Sequence, residues 1–188
     1  MAVTTCTNEI KIVIGSWGSY NACNERALGS EWLDLADYEN WEEVEEALRR
    51  QGFELDGMDG ELFIQDIENI PSNAASWDYV DPKTLFETLK EAEILDVIGK
   101  YETLMAFLEV RSFSDFEELV SRYGCRWDDD IYIYKKYDWE DYGREMFDCF
   151  GYKLPDNLED YFDFKSFGES FKYDGIEEYS DGLIGIGR

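Results

Sequence analysis

The chain has 188 residues, and 17 Lys and Arg against 44 Asp and Glu leave a net charge of −27. Charge of this size goes with disorder only where hydrophobic and aromatic residues are few; here they make up 44% and 16%, so the composition is that of a folded, strongly acidic protein. Its sign excludes nucleic acid and anionic membrane surfaces as direct partners, and the lack of histidine excludes Ser-His-Asp and Cys-His catalysis.

The first segment, MAVTTCTNEIKIVIG, has no basic region followed by a long apolar run, so no signal peptide is expected. No stretch approaches about 20 apolar residues, so no membrane span is expected either. Cys6, Cys23, Cys125 and Cys149 lack a short paired spacing, which points to reduced thiols and a cytoplasmic location. Glu9 to Trp17 mixes alternating polar and apolar residues with β-branched ones and is predicted to be a strand. GSYNACNERALGS reads as a loop, and EWLDL as a short strand with Trp32 and Leu35 directed inward. Asp37 is the predicted N-cap of a helix. In that helix Trp41, Val44 and Leu48 share one face, Glu42, Glu43, Glu45 and Glu46 occupy the rest, and Gly52 closes it. Leu62 to Ile67 follows as a strand. This β–β–α–β order implies a small antiparallel sheet covered by one helix and ending near Ile70-Pro71.

The middle of the chain is predicted helical. Asp81-Pro82 supplies an N-cap and a first-position proline, and Leu85, Leu89 and Ala92 continue one stripe. Further helices are predicted from Lys100 to Glu109 and from Ser114 to a stop at Gly124. Beyond them, Ile131 to Tyr134 reads as a strand and DWEDYGREMFDCFG as a helix closed by Gly151. PDNLEDYFDFKSFGESFKYDG is expected to form one longer helix, with Leu158, Tyr161, Phe164, Phe167 or Gly168, and Phe171 facing inward. IEEYSDGLIGI gives a hairpin signal around Asp181-Gly182. The expected fold class is α+β in three parts: residues 1–72 a small antiparallel sheet plus helix, 73–124 a helical domain, 125–188 a mixed α/β domain.

Motifs for catalysis are weak. Asp128-Asp129-Asp130 offers oxygen ligands for a divalent ion, but an acidic lead into a strand accounts for it as well. DGMDGEL near Asp56 lacks the alternating ligands and the terminal Glu of a calcium loop and reads as a turn. GSWGSY from Gly15 lacks the Gly-Lys-Ser/Thr of a phosphate loop. Aromatics for base stacking would need interleaved Lys and Arg, so core packing is their better use. No catalytic residue, cofactor site or metal site is expected.

What stands out is charge concentrated locally. Glu31, Asp34, Asp37, Glu39, Glu42, Glu43, Glu45 and Glu46 form a run of eight carboxylates with no base among them. A second run, Asp138, Glu140, Asp141, Glu145, Asp148, Asp156, Glu159, Asp160 and Asp163, has nine carboxylates and only Arg144 and Lys153 as bases. Self-repulsion of this kind opposes compaction. Duplex DNA carries one negative charge per about 1.7 Å of axis, so a charge of −27 corresponds to roughly 46 Å of duplex. Carboxylates four apart on a helix lie about 6 Å apart along its axis. Such rows would attract a protein that owns a basic DNA groove, with electrostatically steered association.

Three separated segments carry a family resemblance. IVIGSWGSYN…LGSEWLDL is similar to the opening of the ArdA antirestriction family, ELFIQDIEN to its next strand, and WEDYGREMFDCFG followed by PDNLEDYFDFKSFGESF to its C-terminal signature. Gly143 stands where that family usually has Ala, and Glu169 where it often has Arg. The resemblance implies an elongated, three-domain homodimer that mimics bent B-form DNA. It further implies that the protein is carried by mobile genetic elements and occupies the DNA groove of type I restriction–modification enzymes by competition, without catalysis. The seventeen carboxylates of the two runs are then the expected DNA-mimic surface. Two alternatives stay open at this level. One is a mimic directed at another basic protein, such as a nucleoid protein or Cas nuclease; the other is a carboxylate-based, metal-dependent enzyme.

Overall fold

Ile10, Ile12 and Ile14 are fully buried and set the first sheet. In the computed structural model, which describes residues 9–155 and 157–187, they lead into and lie on β1 (Lys11–Ser16). Burial continues on the opposite side of this strand, through Val13 and Gly15. The expected alternation is therefore replaced by a strand covered on both faces. Gly29 closes over Val13: a Cβ added to it would lie 2.7 Å from Val13 Cγ1.

The chain then turns through α1 (Trp17–Ala22), where only a loop was expected. Ser16 accepts a hydrogen bond from the Ser19 amide at its start, and Cys23 ends it in the left-handed region at φ 50°. Asn24 caps a 3-10 turn, Glu25–Leu28, in the same way. Short polar side chains thus satisfy the free amides of two helical turns too brief for an apolar stripe to announce them.

β2 (Leu33–Asp34) pairs antiparallel with β1, placing Leu33 opposite Ile12. Leu33 and Leu35 point inward, and Trp32 does not: it is 43% exposed, because residues one apart on an extended chain face opposite sides. The N-cap of α2 (Trp41–Arg50) is Asn40 rather than Asp37, which ends a 3-10 turn capped by Asp34. Trp41, Val44 and Leu48 are buried as expected, with Ala47 beside them. Gly52 follows the helix at φ +89°, a conformation that favours glycine. β3 (Leu62–Glu68) completes the antiparallel order β2-β1-β3.

The same compact unit, Met1–Trp127, contains the helical stretch. Asp81 accepts from the Thr84 amide to start α3 (Pro82–Glu91), with Pro82 in its first turn. α4 (Ile98–Val110) begins before the expected Lys100, and α5 (Phe113–Tyr123) opens on a capping box between Ser112 and Asp115. Leu85, Leu89, Phe107, Phe113 and Phe116 are buried between these elements. Trp127 sets its ring edge-on to Phe116 at 4.9 Å and donates its indole N–H to the Ala92 carbonyl at 3.3 Å. Trp41 of α2 meets Phe86 of α3 at 6.1 Å.

The second unit, Asp128–Arg188, has its own antiparallel sheet. β4 (Ile131–Lys135), β5 (Ile176–Tyr179) and β6 (Gly182–Ile186) lie in the order β4-β6-β5, and the β5–β6 hairpin turns where the sequence placed it. α6 (Trp139–Cys149) and α7 (Phe164–Glu169) pack on one another at a pair of glycines. A Cβ on Gly143 would lie 2.0 Å from the Phe164 carbonyl oxygen, and one on Gly168 would lie 2.0 Å from that of Trp139. Trp139, Tyr142, Ile176 and Leu183 form the core.

The single long helix expected from Pro155 onward does not form. Leu158 and Tyr161 are 46% and 85% exposed, and the segment divides into a 3-10 turn, α7 and a second 3-10 turn. Asp163 causes the division: its carboxylate accepts from the Ser166 amide and hydroxyl, starting a new helix in mid-segment.

Candidate functional site

The first acidic run is organised by α2. Its buried side fixes the orientation of the helix, so Glu42 and Glu46 stand in solvent, without an ion-pair partner among the described residues. Glu31, Asp37 and Glu39 are exposed as well. The remaining members are engaged locally. Glu45 accepts from the Trp41 indole N–H at 3.2 Å and pairs with Arg49 at 3.1 Å, an i,i+4 bridge. Glu43 accepts the Glu39 amide at 2.9 Å. Asp34 caps Ala36 at 3.1 Å, and its partial burial pushes its carboxyl above the usual range, against the lowering effect of that bond. The run is thus less uniformly unpaired than the sequence implies.

The second run follows α6 and the segment after it. Asp138 accepts from the Glu140 and Asp141 amides at 2.8 and 2.9 Å, and Asp141 accepts in return from the Asp138 amide. Arg144 is the local counter-charge: it pairs with Glu140 at 2.8 Å and Glu159 at 3.6 Å, and its guanidinium lies 4.2 Å from the centre of the Phe164 ring. Glu145 is half-buried beside Tyr137 and, through a hydrogen bond, raises that phenol above its usual range. Asp148 and Asp160 are exposed. Asp163 is held below the usual carboxylate range by the Ser166 amide and hydroxyl. Asp156 lies outside the described residues.

Two kinds of acid therefore share each run. Asp34, Glu43, Asp138, Asp141 and Asp163 satisfy backbone amides at the starts of helices and turns, where negative charge is favoured. Glu31, Asp37, Glu39, Glu42, Glu46, Asp148 and Asp160 project charge into water. The two runs belong to different units of the chain.

One carboxylate went unnoticed in the sequence. Asp59, in the DGMDGEL turn, is the one fully buried carboxylate among the described residues. It accepts from the Ser19 hydroxyl and from the Glu54 amide at 2.7 Å, and Arg26 Nε lies 3.4 Å away. Burial alone would raise its carboxyl, yet the hydrogen bonds from Ser19, Glu54 and Ser16, with the Arg26 charge, hold it below the usual range. Gly18 permits the arrangement, since a Cβ there would lie 1.9 Å from the Met58 carbonyl oxygen. The role is structural: it ties the turn to α1. Its sequence signal is the short polar residue set Ser16, Ser19 and Asn24, of which Ser16 falls in the expected strand and Ser19 and Asn24 in the expected loop.

Among the described residues no group of three or more Cys, Asp or Glu is placed to hold a metal ion, the Asp128–Asp130 run included. No helix among them is long and apolar enough to cross a membrane. What the geometry offers is a set of exposed carboxylates on well-anchored elements. No curated protein matches the chain. A family model described as "Antirestriction protein (ArdA)" matches residues 12–184.

Proposed function

The chain belongs to the ArdA family of antirestriction proteins, and from this premise we propose that it inhibits type I restriction–modification enzymes by mimicking DNA. Its exposed carboxylates stand in for phosphates, and the inhibited enzyme's basic groove takes them in place of its substrate. The observation that carries this reading is α2. Four apolar side chains hold it in place while Glu42 and Glu46, one turn apart, remain exposed and free of ion pairs among the described residues. A rigid row of charges is pre-organised, so little ordering entropy opposes binding. Charge steers the encounter, and inhibition is occupancy without chemistry.

In this reading the surface comprises both acidic runs, with the chain in three parts and acting as a cytoplasmic homodimer encoded by a mobile element. The capping acids serve twice, since a carboxylate that accepts a backbone amide keeps its negative charge. The test is plating of unmodified phage on a host with a type I enzyme, with and without this protein. Expression should raise plating efficiency on the restricting host and leave a non-restricting host unchanged. Equal plating in the presence and absence of the protein would refute the proposal.

A further inference from the structure

Beside α2 lies an open groove of about 860 Å3, lined in part by Glu25, Leu28, Glu31, Trp32 and Arg50. This volume lies in the range of side-chain and small-molecule sites. Two large apolar side chains border it in contact with water, Leu28 at 84% and Trp32 at 43% exposed. Each is accompanied by a carboxylate. Glu25 and Leu28 are three apart on a 3-10 turn, where such residues lie above one another. Glu31 and Trp32, consecutive in the chain, both line the groove. Neither Glu25 nor Glu31 has an ion-pair partner among the described residues.

The cations of the groove do not cancel this. Arg26, also in the lining, is committed to the buried Asp59. Arg50 remains, against two carboxylates in the lining. Along α2, Glu43, Ala47 and Arg50 are related by steps of four and three, and Glu46 and Arg50 by four, so both glutamates share the side of the helix that reaches the groove. A basic surface that engaged Glu43 and Glu46 would therefore lie beside the groove.

We infer that the groove receives an arginine side chain from the basic DNA-binding surface of the inhibited enzyme. The guanidinium stacks on the Trp32 ring and pairs with Glu31, and the methylene stem lies against Leu28. An amphipathic side chain with an apolar stem and a cationic head matches two borders that each combine an apolar group with a carboxylate. Arginine suits the site better than lysine, because its planar head stacks on an aromatic ring while bonding a carboxylate in two places. Exposed Trp and Arg are the residues most often found to dominate interfaces. The inference rests on the DNA-mimic reading above and adds a contact that a phosphate row does not have.

The test measures affinity of the full-length protein for a purified type I restriction–modification enzyme across a salt series. The variants are Trp32→Ala, Trp32→Phe, Glu31→Gln and a Glu42→Gln/Glu46→Gln pair, with thermal melts confirming that each folds. Trp32→Ala should weaken binding by about tenfold or more at every salt concentration, the effect of a desolvated cation–ring contact. Trp32→Phe should restore most of the loss, and Glu31→Gln should weaken binding by several-fold. The Glu42/Glu46 pair should lose its effect as salt rises. Unchanged affinity of Trp32→Ala would overturn the inference. So would a loss on Trp32→Ala with none on Glu31→Gln, which assigns an apolar occupant, or a change in self-association of the free protein, which assigns a second copy. If the wild-type chain does not bind the enzyme at all, it is the DNA-mimic reading that fails.

Discussion

At the scale of single residues the fold separates side chains that hold the chain together from those that face solvent. Trp41 is 6% exposed, and Glu42 beside it is exposed. Trp41→Ala should cost about 3–5 kcal/mol of stability, the range for removing a buried Trp, while Glu42→Ala should be near neutral; chemical denaturation of the two variants checks this. Asp59 makes a different kind of prediction. Its folded pKa lies below the value of about 3.9 in an unfolded chain. Its contribution is therefore present above that value and is lost as pH falls through the folded one. Asp59→Asn should lower stability at neutral pH by about 3 kcal/mol, because a buried ion pair loses one partner, and should narrow the drop in melting temperature below about pH 4. The two residues are not equally legible in the sequence. The spacing of Trp41, Val44 and Leu48 exposes a helix face directly. Asp59 draws its partners from 40 and 33 residues away, Ser19 and Arg26, and no local pattern announces such contacts.

At the scale of elements the decisive features are helix ends and close approaches. Caps visible as short polar residues before an apolar stripe were legible, as at Asp81-Pro82. Caps that interrupt a stripe were not: Asp163 stops a run of well-spaced aromatics that otherwise reads as one helix, and Asn40 displaces Asp37 at the start of α2. The apolar period says which residues can share a face, but not whether the backbone continues between them. The Gly143–Gly168 contact is such a close approach. Here the backbones of α6 and α7 meet without room for a methyl group. Gly143→Ala should force the helices apart and cost about 1–3 kcal/mol, the usual range for overpacking. Thermal melts would show this, and Gly99→Ala is the control, since a Cβ there meets nothing within 4 Å.

At the scale of the whole molecule the net charge of −27 should make the two proposed equilibria, enzyme binding and self-association, respond oppositely to salt. The proposed binding of a restriction enzyme would draw on attraction between opposite fields, so its affinity should fall as salt rises. The loss should be shared among many carboxylates, since no single phosphate dominates DNA binding. Glu46→Gln alone should change inhibition little, whereas neutralising Glu42, Glu43, Glu45 and Glu46 together should weaken it measurably in a restriction-protection assay. Part of that quadruple effect belongs to stability, because Glu43 and Glu45 also hold the Glu39 amide and Arg49; melts of the same variant separate the two. Self-association runs the other way. Two chains bring together 2 × −27 = −54 charges, a repulsion that apolar contacts must outweigh. Screening shortens its reach to about 3 Å at 1 M salt. The proposed homodimer should therefore persist or tighten over the range in which the enzyme complex dissociates. Sedimentation of the free protein and of the complex across one salt series compares them directly. A chain that stays monomeric at every salt and concentration would remove the dimer, and a complex indifferent to salt would remove the carboxylates from the role of phosphates.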